Sequence, residues 1–112
     1  MRQLLAMVAI FLFATASASA ATLEIQNQTD WQIDNVYISP SSAPKFVLYD
    51  YLGASGVIRP GETRMVEWVA RDTCMWDFRV RFHGRHNHAT TYKNDMCKFN
   101  HPIWKVYPSD IR

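Results

Sequence analysis

Little in this chain of 112 residues is present in excess. Charge of one sign is missing. Twelve Lys and Arg stand against ten Asp and Glu, and without the first twenty positions eleven basic residues face ten acidic ones. A balance this even leaves no electrostatic footprint for nucleic acid or for an acidic membrane. There is no P-loop, no dinucleotide fingerprint and no Gly-x-Ser-x-Gly elbow, so Ser, His and Asp occur without a recognisable nucleophile. Enzyme chemistry finds little support, and a domain this small excludes most multi-substrate enzymes. Cysteine is scarce as well. The two present have neither Cys-x-x-Cys nor a fixed zinc-site spacing. Beyond Ala21 no run is apolar enough to span a bilayer, and no window of helical length shows apolar residues at helical spacing.

Apolar residues concentrate instead at the start. Arg2 precedes an apolar run from Leu4 to Phe13, and Ala18-Ser19-Ala20 places small residues at the −3 and −1 positions of a cleavage site. These are the three parts of a secretory signal peptide. The run is too short for a membrane anchor, which needs about 20 apolar residues. We expect residues 1–20 to be a signal and 21–112 to form a single β-rich domain, periplasmic or secreted, with no membrane span after signal removal. Export makes the cysteines legible. In an oxidising compartment an isolated pair, Cys74 and Cys97, forms a disulfide.

The remainder reads as strands and turns. Thr22 to Gln26 alternates and meets a turn at Asn27 to Asp30. Asn35 to Ser39 is a second strand, ended by Pro40. Lys45 to Leu52 is apolar and aromatic but short, one helical turn or an edge strand, broken by Gly53 and Gly56. Pro60-Gly61-Glu62 is a turn, and Arg64 to Val69 a strand. The clearest strand is Met75 to His83: Trp76, Phe78, Val80 and Phe82 fall on one face, and Asp77, Arg79, Arg81 and His83 on the other. A hairpin turn at Gly84 to Asn87 leads into a returning strand, His88 to Lys93, which brings both cysteines to the open end of the hairpin. Ile103 to Tyr107 is the last strand. Short strands with frequent turns predict an all-β fold, a small antiparallel β-sandwich or open barrel with one disulfide. Trp31, Trp68, Trp76 and Trp104 are expected in its core.

Five motifs occur in order: Val36-Tyr37-Ile38-Ser39-Pro40-Ser41, Asp50-Tyr51-Leu52-Gly53, Pro60-Gly61-Glu62, Cys74-Met75-Trp76-Asp77-Phe78-Arg79-Val80, and Cys97. Together they resemble a family of small exported bacterial proteins with a Leu-Tyr-Val-Ser-Pro-Ser, Asp-x-Leu-Gly, Pro-Gly-Glu, Cys-x-Tyr/Trp-Asp-Leu-Arg-Val and Cys pattern. Some copies carry the label argininosuccinate lyase, a large helical tetramer whose length and helices this chain lacks. The resemblance implies a β-rich fold and the Cys74–Cys97 bridge, and supplies no catalytic residue. The position of Asp77 inside the motif implies a structural hydrogen bond to a nearby loop such as the Ser-Pro-Ser turn. Where the family has an Asp-Gly hairpin, this chain has His83-Gly84-Arg85-His86-Asn87-His88.

The histidines are the first candidates for ligand chemistry. Imidazole binds zinc, copper and nickel, and His83, His86 and His88 could converge across a tight hairpin, with His101 after the second cysteine. Otherwise no cofactor is expected. Asp77, Arg79 and Arg81 form a charged row that Asp50, Asp72 and Asp95 could face, either as cross-strand ion pairs or as a polar face for an anionic or protein ligand. Asn27-Gln28-Thr29 fits a glycosylation pattern but is read as a turn. The leading expectation is an exported, non-enzymatic β-domain that binds a protein or envelope component. The alternatives are a periplasmic metal-binding protein using the His-rich hairpin, and an inhibitor or immunity-type protein.

Overall fold

A computed structural model of the chain describes residues 19–70, 73–84 and 92–111. Six strands build it: β1 (Ser19–Asn27), β2 (Ile33–Pro40), β3 (Thr63–Ala70), β4 (Met75–Phe82), β5 (Tyr92–Asp95) and β6 (Ile103–Val106), with one 3-10 turn at Pro108–Asp110. They form two three-stranded sheets, β3-β1-β6 and β2-β4-β5, so the all-β sandwich with one disulfide is the fold. No helix among the described residues is long and apolar enough to cross a membrane. The expected cleavage point after Ala20 falls inside β1, where Ser19 and Ala20 pair with Ala70 and Val69.

Alternation explains the layers. Along β4 the inner row Trp76, Phe78, Val80 and Phe82 is buried, while Asp77, Arg79 and Arg81 stay partly exposed. Ala21, Leu23 and Ile25 of β1, Val66 and Trp68 of β3, and Trp104 and Val106 of β6 face this row from the other sheet. Aromatic rings join the sheets. Trp68 meets Trp76 and Phe78 edge-on at 6.0 and 5.5 Å, Phe78 stacks on Tyr92 at 5.9 Å, and Tyr92 stacks on Trp104 at 5.8 Å. Full burial of one such ring is worth about 2–3 kcal/mol.

Three features differ from the expectations. β1 and β6 run parallel, whereas the other strand pairs are antiparallel; alternation marks a strand but carries no direction. Trp31 is 38% exposed and meets Phe82 edge-on at 6.5 Å, because it lies in the turn after β1 rather than on a strand face. Residues 45–52 form neither a helical turn nor a strand. They run along the outer edge of β2, where Tyr51 N donates to Val36 O, Val47 N donates to Ser39 Oγ, and Tyr37 and Asp50 form an isolated bridge. β5 begins at Tyr92, and the expected His88–Thr91 part of the return lies outside the described residues.

The Asn27 side chain is fully buried. Its Nδ2 donates to Trp31 O and Ile58 O, and its Oδ1 accepts from Thr29 N and Thr29 Oγ1. The turn reading of Asn27-Gln28-Thr29 is therefore correct, and the amide is enclosed by its own partners. Glu62 N donates to Arg59 O and closes the Pro60-Gly61-Glu62 turn, and Gly61, at φ +81°, donates its N–H to Asn27 O and ties that turn to β1.

Cys74 and Cys97 are bonded, with α-carbons 5.1 Å apart. The bridge sits one step beyond the Met75–Asp95 pair, beside a 2.7 Å bond from Met96 N to Cys74 O. It pins the base of the β4–β5 hairpin, where fraying would wet Trp76. Closing this loop is worth about 3 kcal/mol in the chain-entropy model. At about 4–8 °C per kcal/mol for a domain of this size, the double variant Cys74→Ser with Cys97→Ser should melt about 10 °C or more below the wild type in calorimetry. An unchanged melting temperature, or two free thiols in the intact mass of protein recovered from an oxidising compartment without reductant, would contradict this role.

Candidate functional site

The outward face of β2-β4-β5 carries most of the polar side chains that sequence reading singled out. The register sets Asn35 opposite Arg81, Tyr37 opposite Arg79, and Asp77 between Ser39 and Lys93. At one end, Asp77 Oδ1 accepts from Ser41 Oγ at 2.7 Å and from Lys93 Nζ at 2.8 Å, and Lys93 Nζ also donates to Ser41 Oγ at 3.1 Å. Asp77 thus ties the Ser39-Pro40-Ser41 corner to the hairpin, as its place in the motif implied.

The other end is built on a bulge. The register of β2 shifts between Ile33 and Asn35, which turns Asp34 and Asn35 both away from the core. Asn35 Oδ1 accepts from Arg81 Nε at 2.7 Å, and Asn35 Nδ2 donates to Asp50 Oδ2 at 2.9 Å. The second oxygen of Asp50 accepts from Val36 N and Leu52 N, which anchors the loop. Asp34 Oδ2 lies 2.7 Å from His83 Nδ1, and Asp34 Oδ1 accepts from Gln32 Nε2 at 2.8 Å. Burial by itself raises the pKa of Asp34. The hydrogen bonds from Gln32 and His83 and the charges of His83 and Arg81 outweigh burial and hold it below the usual carboxylate value. A cleft of about 410 Å³ is lined by Asp34, Asp50, Arg81 and His83 together with Gly53 and Val57.

Between these ends sits Arg79. Its guanidinium carbon lies 4.3 Å from the centre of the Phe46 ring. The chain after Phe46 exposes three consecutive large side chains, Val47 at 44%, Leu48 at 65% and Tyr49 at 64%, with Tyr49 edge-on to Tyr51 at 4.9 Å. Sequence reading noted the apolar character of this segment but assigned it no role. The signal was a run without alternation between Pro44 and Gly53, where neither face can be buried while the other stays wet.

The remaining candidates divide. Cys74 and Cys97 form the bridge. His83 lies beside the cleft, paired with Asp34, whereas His86, His88 and Asp72 lie outside the described residues. Asp50 does join the charged row through Asn35. Asp95 does not; it caps Cys97 N at 3.0 Å. Among the described residues one group has the ligand types and proximity for a metal, Cys74, Asp95 and Cys97, and its two sulfurs are bonded to each other. The carboxylates Asp34, Asp50 and Asp77 are each committed to neighbouring donors. Compared with protein-family models, curated proteins and solved structures, the chain has no match in any of the three. The motif resemblance therefore stands on the residues quoted for it.

The Asp34 environment gives a pH test. A carboxylate whose pKa is lowered by folding adds stability above its unfolded value, near 3.9, and loses it as pH falls through the folded value. Asp34→Asn should therefore be less stable than the wild type at neutral pH, and the gap should close below about pH 4. Urea midpoints at neutral and acid pH measure this; an equal gap at both would contradict it.

Proposed function

We propose that the protein is an exported, non-enzymatic β-domain that binds a protein or envelope component through the outward face of β2-β4-β5 and the segment from Phe46 to Tyr49. One observation carries this reading. Val47, Leu48 and Tyr49 are consecutive and 44–65% exposed, on a segment fastened at both ends by Val47 N to Ser39 Oγ and Tyr51 N to Val36 O. Contiguous apolar surface, rimmed by polar groups and held by a rigid frame, is what a partner site requires. The disulfide supports an oxidising compartment, in accord with the signal-like start of the chain. The double variant Leu48→Ser with Tyr49→Ser tests the reading. Tagged protein crosslinked in its native envelope should recover partners that the variant loses, while the melting temperature holds within about 4 °C, as for ordinary surface changes. The same partners at the same yield from both proteins would contradict it.

A second reading, metal binding at the His-rich hairpin, has one observation in its favour. Asp34 engages His83 Nδ1 at 2.7 Å, and a carboxylate on one ring nitrogen orients the other toward a metal. Titration calorimetry with zinc, copper and nickel should then show micromolar binding that is lost when His83→Ala, His86→Ala and His88→Ala are combined. Equal heats from the wild type and this triple variant would remove the reading.

A further inference from the structure

We propose that Arg79, stacked on Phe46, is the docking point for a carboxylate on an acidic, apolar segment of a partner protein. The proposal rests on the binding reading above and names the chemistry of the partner. Three cations project from the outward face of β4 and β5. Lys93 is taken up by Asp77 and Ser41. Arg81 gives its Nε to Asn35, whose amide is held by Asp50, and its charge acts on Asp34. Arg79 differs: among the described residues no acceptor takes a hydrogen bond from its guanidinium, which lies over the Phe46 ring at 4.3 Å. The surrounding carboxylates are already committed. Asp77 is bonded to Ser41 and Lys93, Asp50 to Asn35, Val36 and Leu52, and Asp34 to Gln32 and His83. The centre of the face therefore presents a positive charge that the fold does not neutralise.

The chemistry of a stacked guanidinium narrows the ligand. The guanidinium rests over the Phe46 ring and no acceptor among the described residues takes its N–H donors, and a carboxylate meets a guanidinium fork with two parallel bonds. Arginine held in this way is typical of the energetic centre of a protein interface. Leu48 and Tyr49, two and three positions beyond Phe46 and about two-thirds exposed, supply apolar area that would exclude water from the ion pair. Charge complementarity and apolar surface together select a segment carrying both acidic and apolar side chains.

Fluorescence anisotropy with the disulfide-bonded chain tests the proposal directly. The probe is a labelled peptide of repeating Leu-Leu-Glu-Glu; the controls are the same peptide with Lys for Glu, the same with Ser for Leu, and vesicles of phosphatidylglycerol. The Leu/Glu peptide should bind, the Leu/Lys peptide should not, and the Ser/Glu peptide should bind more weakly. Arg79→Ala should weaken binding by about tenfold or more. Arg79→Lys, which keeps the charge and loses the stacked fork, should also weaken it severalfold. Lys105→Ala, an equal loss of charge on the exposed side of β6, should leave it unchanged, and all variants should keep the wild-type melting temperature. Equal binding of the Leu/Lys peptide, unchanged affinity in both Arg79 variants, or binding of the vesicles in place of the peptide would overturn the proposal. So would no binding of the Leu/Glu peptide by the folded wild type. If envelope capture still depended on Leu48 and Tyr49 in that case, the binding reading would stand and the acidic partner alone would be wrong.

Discussion

The ring of Phe78 lies edge-on to Trp68 of the opposite sheet and stacks on Tyr92 of its own, and Tyr92 in turn stacks on Trp104 across the core. This run of aromatic contacts holds the two sheets together, and it exists only if β4 keeps its register. Side chains in a strand alternate faces with a period of two, so a slip of one residue would send Asp77, Arg79 and Arg81 into the core and the rings into water. Charged groups buried without partners cost several kcal/mol each, which makes the observed register strongly preferred. The Cys74–Cys97 bridge, placed one step before the first residue of β4, prevents the slip from the base of the hairpin.

The same register determines the surface. With Phe78 inside, Arg79 must point outward, opposite Tyr37 and under the control of Phe46. The polar groups on either side of it serve the fold. Asp77 fastens the Ser39-Pro40-Ser41 corner, and Asp50 fastens the loop that covers the edge of β2. An edge strand with unpaired backbone invites aggregation, and the segment from Val47 to Ile58 covers that edge with hydrogen bonds to Ser39, Val36 and Ile33. Covering the edge leaves Leu48 and Tyr49 outside. The exposed apolar surface proposed for binding is thus a consequence of how β2 is protected, and it follows directly on Phe46, the ring that Arg79 overlies.

Much of this was legible in the sequence. Four inward residues in strict alternation marked β4, and an isolated cysteine pair behind a signal-like start marked the bridge. Asp77 was placed correctly because a motif, rather than a local pattern, linked it to Ser41, 36 positions away. What escaped were features that depend on distant partners. Trp31 reads as core by composition, yet its backbone carbonyl is held by Asn27 in a turn that leaves the ring half-exposed. The bulge that turns Asp34 outward, the parallel run of β1 and β6, and the meeting of Asp50 with Asn35 all arise from tertiary pairing. The segment from Phe46 to Tyr49 has no period to read, because it pairs through isolated bonds and not through a ladder.

The central claim is that β4 holds one register, with Phe78 against Trp68 and Arg79 against Phe46. Nuclear Overhauser spectroscopy of the disulfide-bonded protein tests it most directly. The account predicts cross-peaks from the Phe78 ring to Trp68 and Tyr92, together with cross-peaks from the Arg79 side-chain methylenes to the Phe46 ring. Cross-peaks connecting the Arg79 side chain to the Trp68 ring, with Phe78 showing none, would contradict it.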